Sequence, residues 1–190
     1  MSTILSSLRN TVIAGIILLL AVVFFVNSGA AKETLFITRY IHVLSGVMWI
    51  GILWYFNFVQ IPTMPSIPDE LKPAIGKHIA PEALFWFRWG AMFTILSGLF
   101  LAMISGYLVD ALSLAEGSRT IGIGMWLGII MWFNVWVIIW PNQKIALGMV
   151  EAEADAKAAS ARKAMLFSRT NTMLSIPMLY CMVSNHAGAI

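Results

Sequence analysis

Two of the three histidines, His42 and His186, lie in stretches free of Asp, Glu, Lys and Arg. Imidazole is a good axial ligand for haem iron. Gly46 and Trp49 follow His42 at i+4 and i+7, on one helix face, and Arg39 lies one turn before it. A haem held between two helices needs a His from each side, a small residue against the macrocycle, an aromatic wall and a cation near its propionates. His42, His186, Gly46, Trp49 and Arg39 are of the right types for those tasks. The plainer reading is that each imidazole is neutral, sits near a membrane interface and bonds a carbonyl or water. Residue chemistry alone leaves both readings open, although ionisable residues within membrane spans are costly and are functional candidates by default. His78 lies in a proline-rich segment and reads as a solvent residue on the opposite face.

The elements that must position these residues are long and apolar. Asn10–Ala31, Tyr40–Pro68, Trp89–Val109, Thr120–Gln143 and Thr170–Ile190 contain no formal charge. About 20 apolar residues cross a hydrocarbon core as a helix. The chain therefore reads as all-α: a polytopic membrane bundle of five transmembrane helices in a single membrane domain, residues 1–190. The expected spans are about 11–27, 40–61, 86–109, 121–140 and 170–187. Charged residues make up 11% of the chain, where a soluble domain has about 25%. The net charge of +3 does not point to nucleic acid, because the basic residues flank the spans. The single cysteine, Cys181, excludes an internal disulfide and a CxxCH haem attachment. The first apolar run has the outline of a secretory signal, but it is long for one and no clear A-x-A site follows. It is expected to be a retained span.

Charge predicts the topology. Arg9, Lys72, Lys77, Arg88, Lys144, Lys157, Arg162, Lys163 and Arg169 fall on the N-terminal side of the membrane, and Lys32, Arg39 and Arg119 on the other. Positive residues favour the cytoplasmic side, so the N-terminus is expected inside and the C-terminus outside. Both His42 and His186 then lie in the outer leaflet.

Ser28–Thr38 and Asp110–Arg119 read as short outer loops. The inner segment Ile61–Leu84 holds Pro62, Pro65, Pro68, Pro73 and Pro81 and cannot be one regular helix. Lys144–Lys163 is Ala-rich and charge-dotted, with Glu153 and Lys157 at i,i+4, which suits a water-exposed helix. It is expected to prolong the fourth span to about residue 165, with a bend near Pro141, as a solvated connector or a docking surface. In the third span Gly90, Thr94, Gly98, Ala102 and Gly106 recur every four residues. Such a ridge lets helices approach closely in lipid, or makes room for a flat cofactor. Gly124 and Gly128 repeat the device in the fourth span. Asn134, near the middle of that span, is expected to bond another helix.

Several blocks resemble one family. Arg39-Tyr40-Ile41-His42-Val43-Leu44-Ser45-Gly46-Val47-Met48-Trp49-Ile50-Gly51 is similar to the opening motif of the urate oxidase N-terminal membrane family, the membrane part of bacterial urate hydroxylases. Glu82–Trp89 with Ser97-Gly98 resembles its aromatic-rich helix start. Asn134-Val135-Trp136 with Trp140-Pro141-Asn142-Gln143-Lys144 resembles its next helix end. Arg169-Thr170-Asn171-Thr172, Ile176-Pro177 and Ser184-Asn185-His186 resemble its last helix. The resemblance runs from about Arg39 to His186. The His-x3-Gly-x2-Trp-x-Gly part alone is weak, since protoporphyrinogen oxidase and copper-uptake membrane proteins have comparable helices. Four blocks in order are more specific.

The resemblance implies a membrane redox module passing electrons toward a cytochrome. Full-length members carry a cytochrome c domain after the membrane part, and this sequence reads as a short form without it. The expected function is a b-type haem-binding electron-transfer subunit of a larger complex in a bacterial inner membrane. His42 and His186 would be axial ligands to the haem iron, Gly46 would give clearance, Trp49 would pack the ring edge and Arg39 would face a propionate. Partners would be the lipid bilayer and other membrane subunits or a cytochrome c. Two alternatives stand beside it: a urate-hydroxylase-like oxidoreductase, and a structural accessory subunit without a cofactor.

Overall fold

Backbone N–H and C=O groups in hydrocarbon must be satisfied within their own segment, which long apolar runs achieve as helices. The computed structural model describes residues 5–26 and 30–184, all-helical with turns and no strand among the described residues. Contacts divide the chain into two units, Met1–Ile37 and Thr38–Ile190. The first contains α1 (Leu8–Val26). The second contains most of α2 (Ala30–Trp54), then α3 (Ala80–Ile104), the short α4 (Leu108–Leu112), α5 (Arg119–Phe133), α6 (Trp140–Ala146) and α7 (Ala154–Ser184).

Three continuous helical stretches, Thr34–Ser66, Lys72–Ile104 and Arg119–Ala146, are long and apolar enough to cross a membrane. Leu8–Phe24 is a shorter apolar helix. The last of the five expected spans, about 170–187, extends past residue 184, where the described part ends. Large apolar side chains such as Val47, Phe58, Ile176 and Val183 are exposed, an arrangement that suits a lipid or protein contact rather than water.

Each long stretch contains a π-helical turn just before a proline. Tyr55–Gln60 precedes Pro62, Ile75–Ile79 precedes Pro81, and Asn134–Ile139 precedes Pro141. Proline has no N–H and its ring crowds the carbonyl four residues back. A wider turn moves that carbonyl aside and lets the helix continue. Within Ile61–Leu84 helix geometry is interrupted at residues 67–71, where Ile67 is extended and a turn follows, in keeping with the irregularity expected there.

Three expectations are corrected. Residues 30–38 belong to α2 and are not an outer loop. The charge-dotted segment does not prolong the fourth span: α6 stops at Ala146, and the segment from Ala154 begins α7, which runs on to Ser184. The break is a Schellman cap. Gly148 takes φ +72°, its N–H donates to the Ile145 carbonyl at 3.1 Å, and the Met149 N–H donates to the Lys144 carbonyl at 2.9 Å. Gly106 (φ +82°) ends α3 in the same way, so it closes the helix and does not extend the small-residue ridge.

A buried polar seam ties α7 to the bundle. Asn171 is fully buried; its amide donates to the Met131 carbonyl at 2.9 Å and accepts from Asn134 Nδ2 at 2.8 Å. One turn to either side, Asn57 Nδ2 donates to Ser168 Oγ at 2.8 Å and Trp54 Nε1 to Ser175 Oγ at 3.0 Å. Asn57 and Asn134 both sit in π turns. The expected interhelical role of Asn134 is thus met by α7. On the adjacent face Gly124 receives α7 closely: a Cβ there would fall 2.8 Å from the Cβ of Cys181.

Candidate cofactor cavity

His42 stands on α2 facing α3. Its Nδ1 lies 2.9 Å from the Thr94 carbonyl oxygen. A carbonyl only accepts, so Nδ1 carries the proton, and in the neutral imidazole Nε2 is the nitrogen with the lone pair. A backbone carbonyl on the other ring nitrogen is the usual device for fixing the tautomer and orientation of a ligating histidine. The Thr94 side chain is engaged elsewhere, donating to the Gly90 carbonyl at 2.7 Å.

The small-residue ridge of α3 makes this approach feasible. A Cβ on Gly98 would lie 2.8 Å from His42 Cε1 and 3.1 Å from Nδ1. A Cβ on Gly90 would lie 3.2 Å from the backbone nitrogen of Trp49. One glycine thus receives the imidazole and the other the α2 backbone two turns further on. Thr94 and Ala102 complete the buried face.

Arg39, His42, Gly46 and Trp49 all line one cavity of about 680 Å³ between α2, α3, α5 and α7. That volume lies in the range of small-molecule and cofactor sites, about 300–1,000 Å³. Its walls are otherwise largely apolar, with Ile121, Met125, Met178 and Leu179 among them. Trp49 is 1% exposed, and its buried Nε1 has no hydrogen-bond partner among the described residues. An unpaired buried donor is costly and suits a site completed by a ligand. Arg39 is exposed and sits at the cavity rim. Tyr107, in the turn beyond α3, also lines the cavity.

His186 lies outside the described residues. The nearest described part of α7 contributes Met178, Leu179, Met182 and Val183 to the cavity. His78 is exposed in the π turn before α3. Among the described residues no group of three or more His, Cys, Asp or Glu comes together. Sequence reasoning missed Thr94 as the partner of His42, because a backbone carbonyl leaves no trace in residue type. It had noted Gly98, which belongs to the four-residue repeat.

Residues 114–190 match the urate oxidase N-terminal family. No curated protein and no solved structure matches the chain. The matched region begins at Leu114 and takes in α5, α6 and α7, with the buried Asn134 and Asn171. The His42 block on α2 lies before it. One wall of the cavity is therefore built from the matched region, and the wall that carries the imidazole precedes it.

Proposed function

We propose that this chain is an integral membrane protein with five spans that binds b-type haem and serves as an electron-transfer subunit of a larger membrane complex. The observation that carries the reading is His42 at the 680 Å³ apolar cavity, with its proton held on Nδ1 by the Thr94 carbonyl. The residues present fit the group. His42 supplies an imidazole at the cavity wall, Gly46 leaves room along α2, Trp49 supplies an aromatic wall, and Arg39 offers a cation at the rim. His186 would be the second residue to hold the iron. A porphyrin supplies most of its iron's ligands itself, so one or two imidazoles suffice where a bare metal would ask for a larger cluster. Bound haem would supply a one-electron centre whose potential depends on axial ligands and burial.

The chain's own part is to hold and insulate. The Thr94 carbonyl fixes the imidazole plane, the Gly98 gap lets it lie against α3, and the apolar walls exclude water. The family match favours a second reading, an oxidoreductase acting on urate or a similar heterocycle. A reduced-minus-oxidised spectrum of the purified protein tests for the haem, and its absence would leave the accessory-subunit reading. Turnover of urate with a supplied cytochrome separates the enzyme from the electron-transfer subunit. The nine-to-three basic bias supports an inside N-terminus and an outside C-terminus, in the inner membrane of a bacterium.

A further inference from the structure

Near the opposite end of α3 from His42 lies a cluster of groups that only donate. Arg88 is half-buried, and its guanidinium carbon sits 3.2 Å from the centroid of the Trp140 ring and 5.9 Å from that of Trp136. Lys144 Nζ stands 5.7 Å from the same Trp140 ring. Two cations thus share one indole. The Nε of Arg88 and the Nε1 of Trp136 are buried without a hydrogen-bond partner among the described residues. Among the described residues the one ion pair is Asp69–Lys72, so no carboxylate is paired with Arg88 or Lys144.

Cation–π contact offsets part of the cost of burying a guanidinium, but it leaves the N–H groups unsatisfied and does nothing for the repulsion between the two cations. An anion with several acceptor oxygens would answer both. Arg88 lies ten residues from Gly98, about 15 Å along the helix, so this is a separate place from the His42 cavity. Phe85, Trp86 and Trp89 beside it are exposed, and exposed tryptophans of this kind mark the headgroup level of a membrane. Basic pockets between helices at that level take lipid phosphate.

We propose that Arg88, Lys144 and the indoles of Trp136 and Trp140 form a binding site for the phosphate of an anionic membrane phospholipid. The proposal rests on the membrane reading above and is independent of the haem. It is tested with the full-length chain in mild detergent. Thermal unfolding is followed while phosphatidylglycerol, phosphatidylcholine or inorganic phosphate is added to wild type, Arg88→Gln and Lys144→Gln. The expected result is a saturable rise in melting temperature with phosphatidylglycerol alone. The half-saturating concentration should rise roughly tenfold or more when a charge-assisted donor is lost. Lys144→Gln gives an answer even if Arg88→Gln does not fold. An equal rise with phosphatidylcholine, or an unchanged phosphatidylglycerol response in the variants, overturns the proposal. A rise with inorganic phosphate at the same concentrations overturns the lipid assignment in favour of a soluble anion. Incorporation of wild type into phosphatidylcholine vesicles, read by co-sedimentation, reports the membrane reading separately.

Discussion

Gly98 and His42 are in direct apposition: a Cβ on the glycine would stand 2.8 Å from the imidazole Cε1. The imidazole cannot simply swing away, because its Nδ1 is bonded to the Thr94 carbonyl at 2.9 Å. Gly98→Ala should therefore displace the ring or part α2 from α3. Overpacking of this kind costs about 1–3 kcal/mol. The measurement is reversible unfolding in detergent, where the variant should melt earlier than wild type. An unchanged melting temperature would mean that the two helices are not this close.

The seam of α7 makes a second prediction. Asn171→Ala removes the acceptor of Asn134 Nδ2 and the donor to the Met131 carbonyl. Interhelical hydrogen bonds in membranes contribute about 0.6 kcal/mol on average and up to about 1.7. Two are lost at a fully buried position, so a destabilisation of about 1–2 kcal/mol is expected. A double-mutant cycle of Asn134→Ala with Asn171→Ala should give a coupling of roughly 0.5–1.5 kcal/mol. Zero coupling would separate the two side chains.

The sequence showed the apolar helices, the irregular proline segment and the ridge of α3, because each rests on a local pattern. The pairing of Asn57 with Ser168 and of Trp54 with Ser175 had no such signal. The partners stand more than a hundred positions apart, and isolated Ser and Asn look alike whether they bond a neighbouring helix or their own backbone. The start of α7 was misplaced for a different reason. Ala and charge favour a helix on either side of Gly148, and only the positive φ of that glycine decides which span the helix belongs to. Glycine just past Lys144–Leu147 was the available signal. At the site, Arg39, His42, Gly46 and Trp49 were found together because they share one face of α2. Thr94 stands out as a member of the α3 repeat, but its contact with His42 has no sequence signal, since its contribution is a carbonyl.

Topology gives a third prediction. With Cys181 replaced by Ser, single cysteines at Asp155 and Ile190 should label from opposite sides of the membrane, residue 155 inside and residue 190 outside. Labelling of both from one side would remove the proposed five-span arrangement and, with it, the proposed shared leaflet of the two histidines.

The central claim is that His42 and His186 hold one haem, and absorbance spectroscopy of the purified protein tests it most directly. Wild type, reconstituted with haem if needed, should show a low-spin b-type spectrum on reduction. His42→Ala and His186→Ala should each abolish it, and His78→Ala should leave it intact. Haem should also raise the melting temperature of wild type, since a ligand that binds only the folded state stabilises it. A wild-type protein that takes up no haem, or a His42→Ala variant with an unchanged low-spin spectrum, would contradict the account.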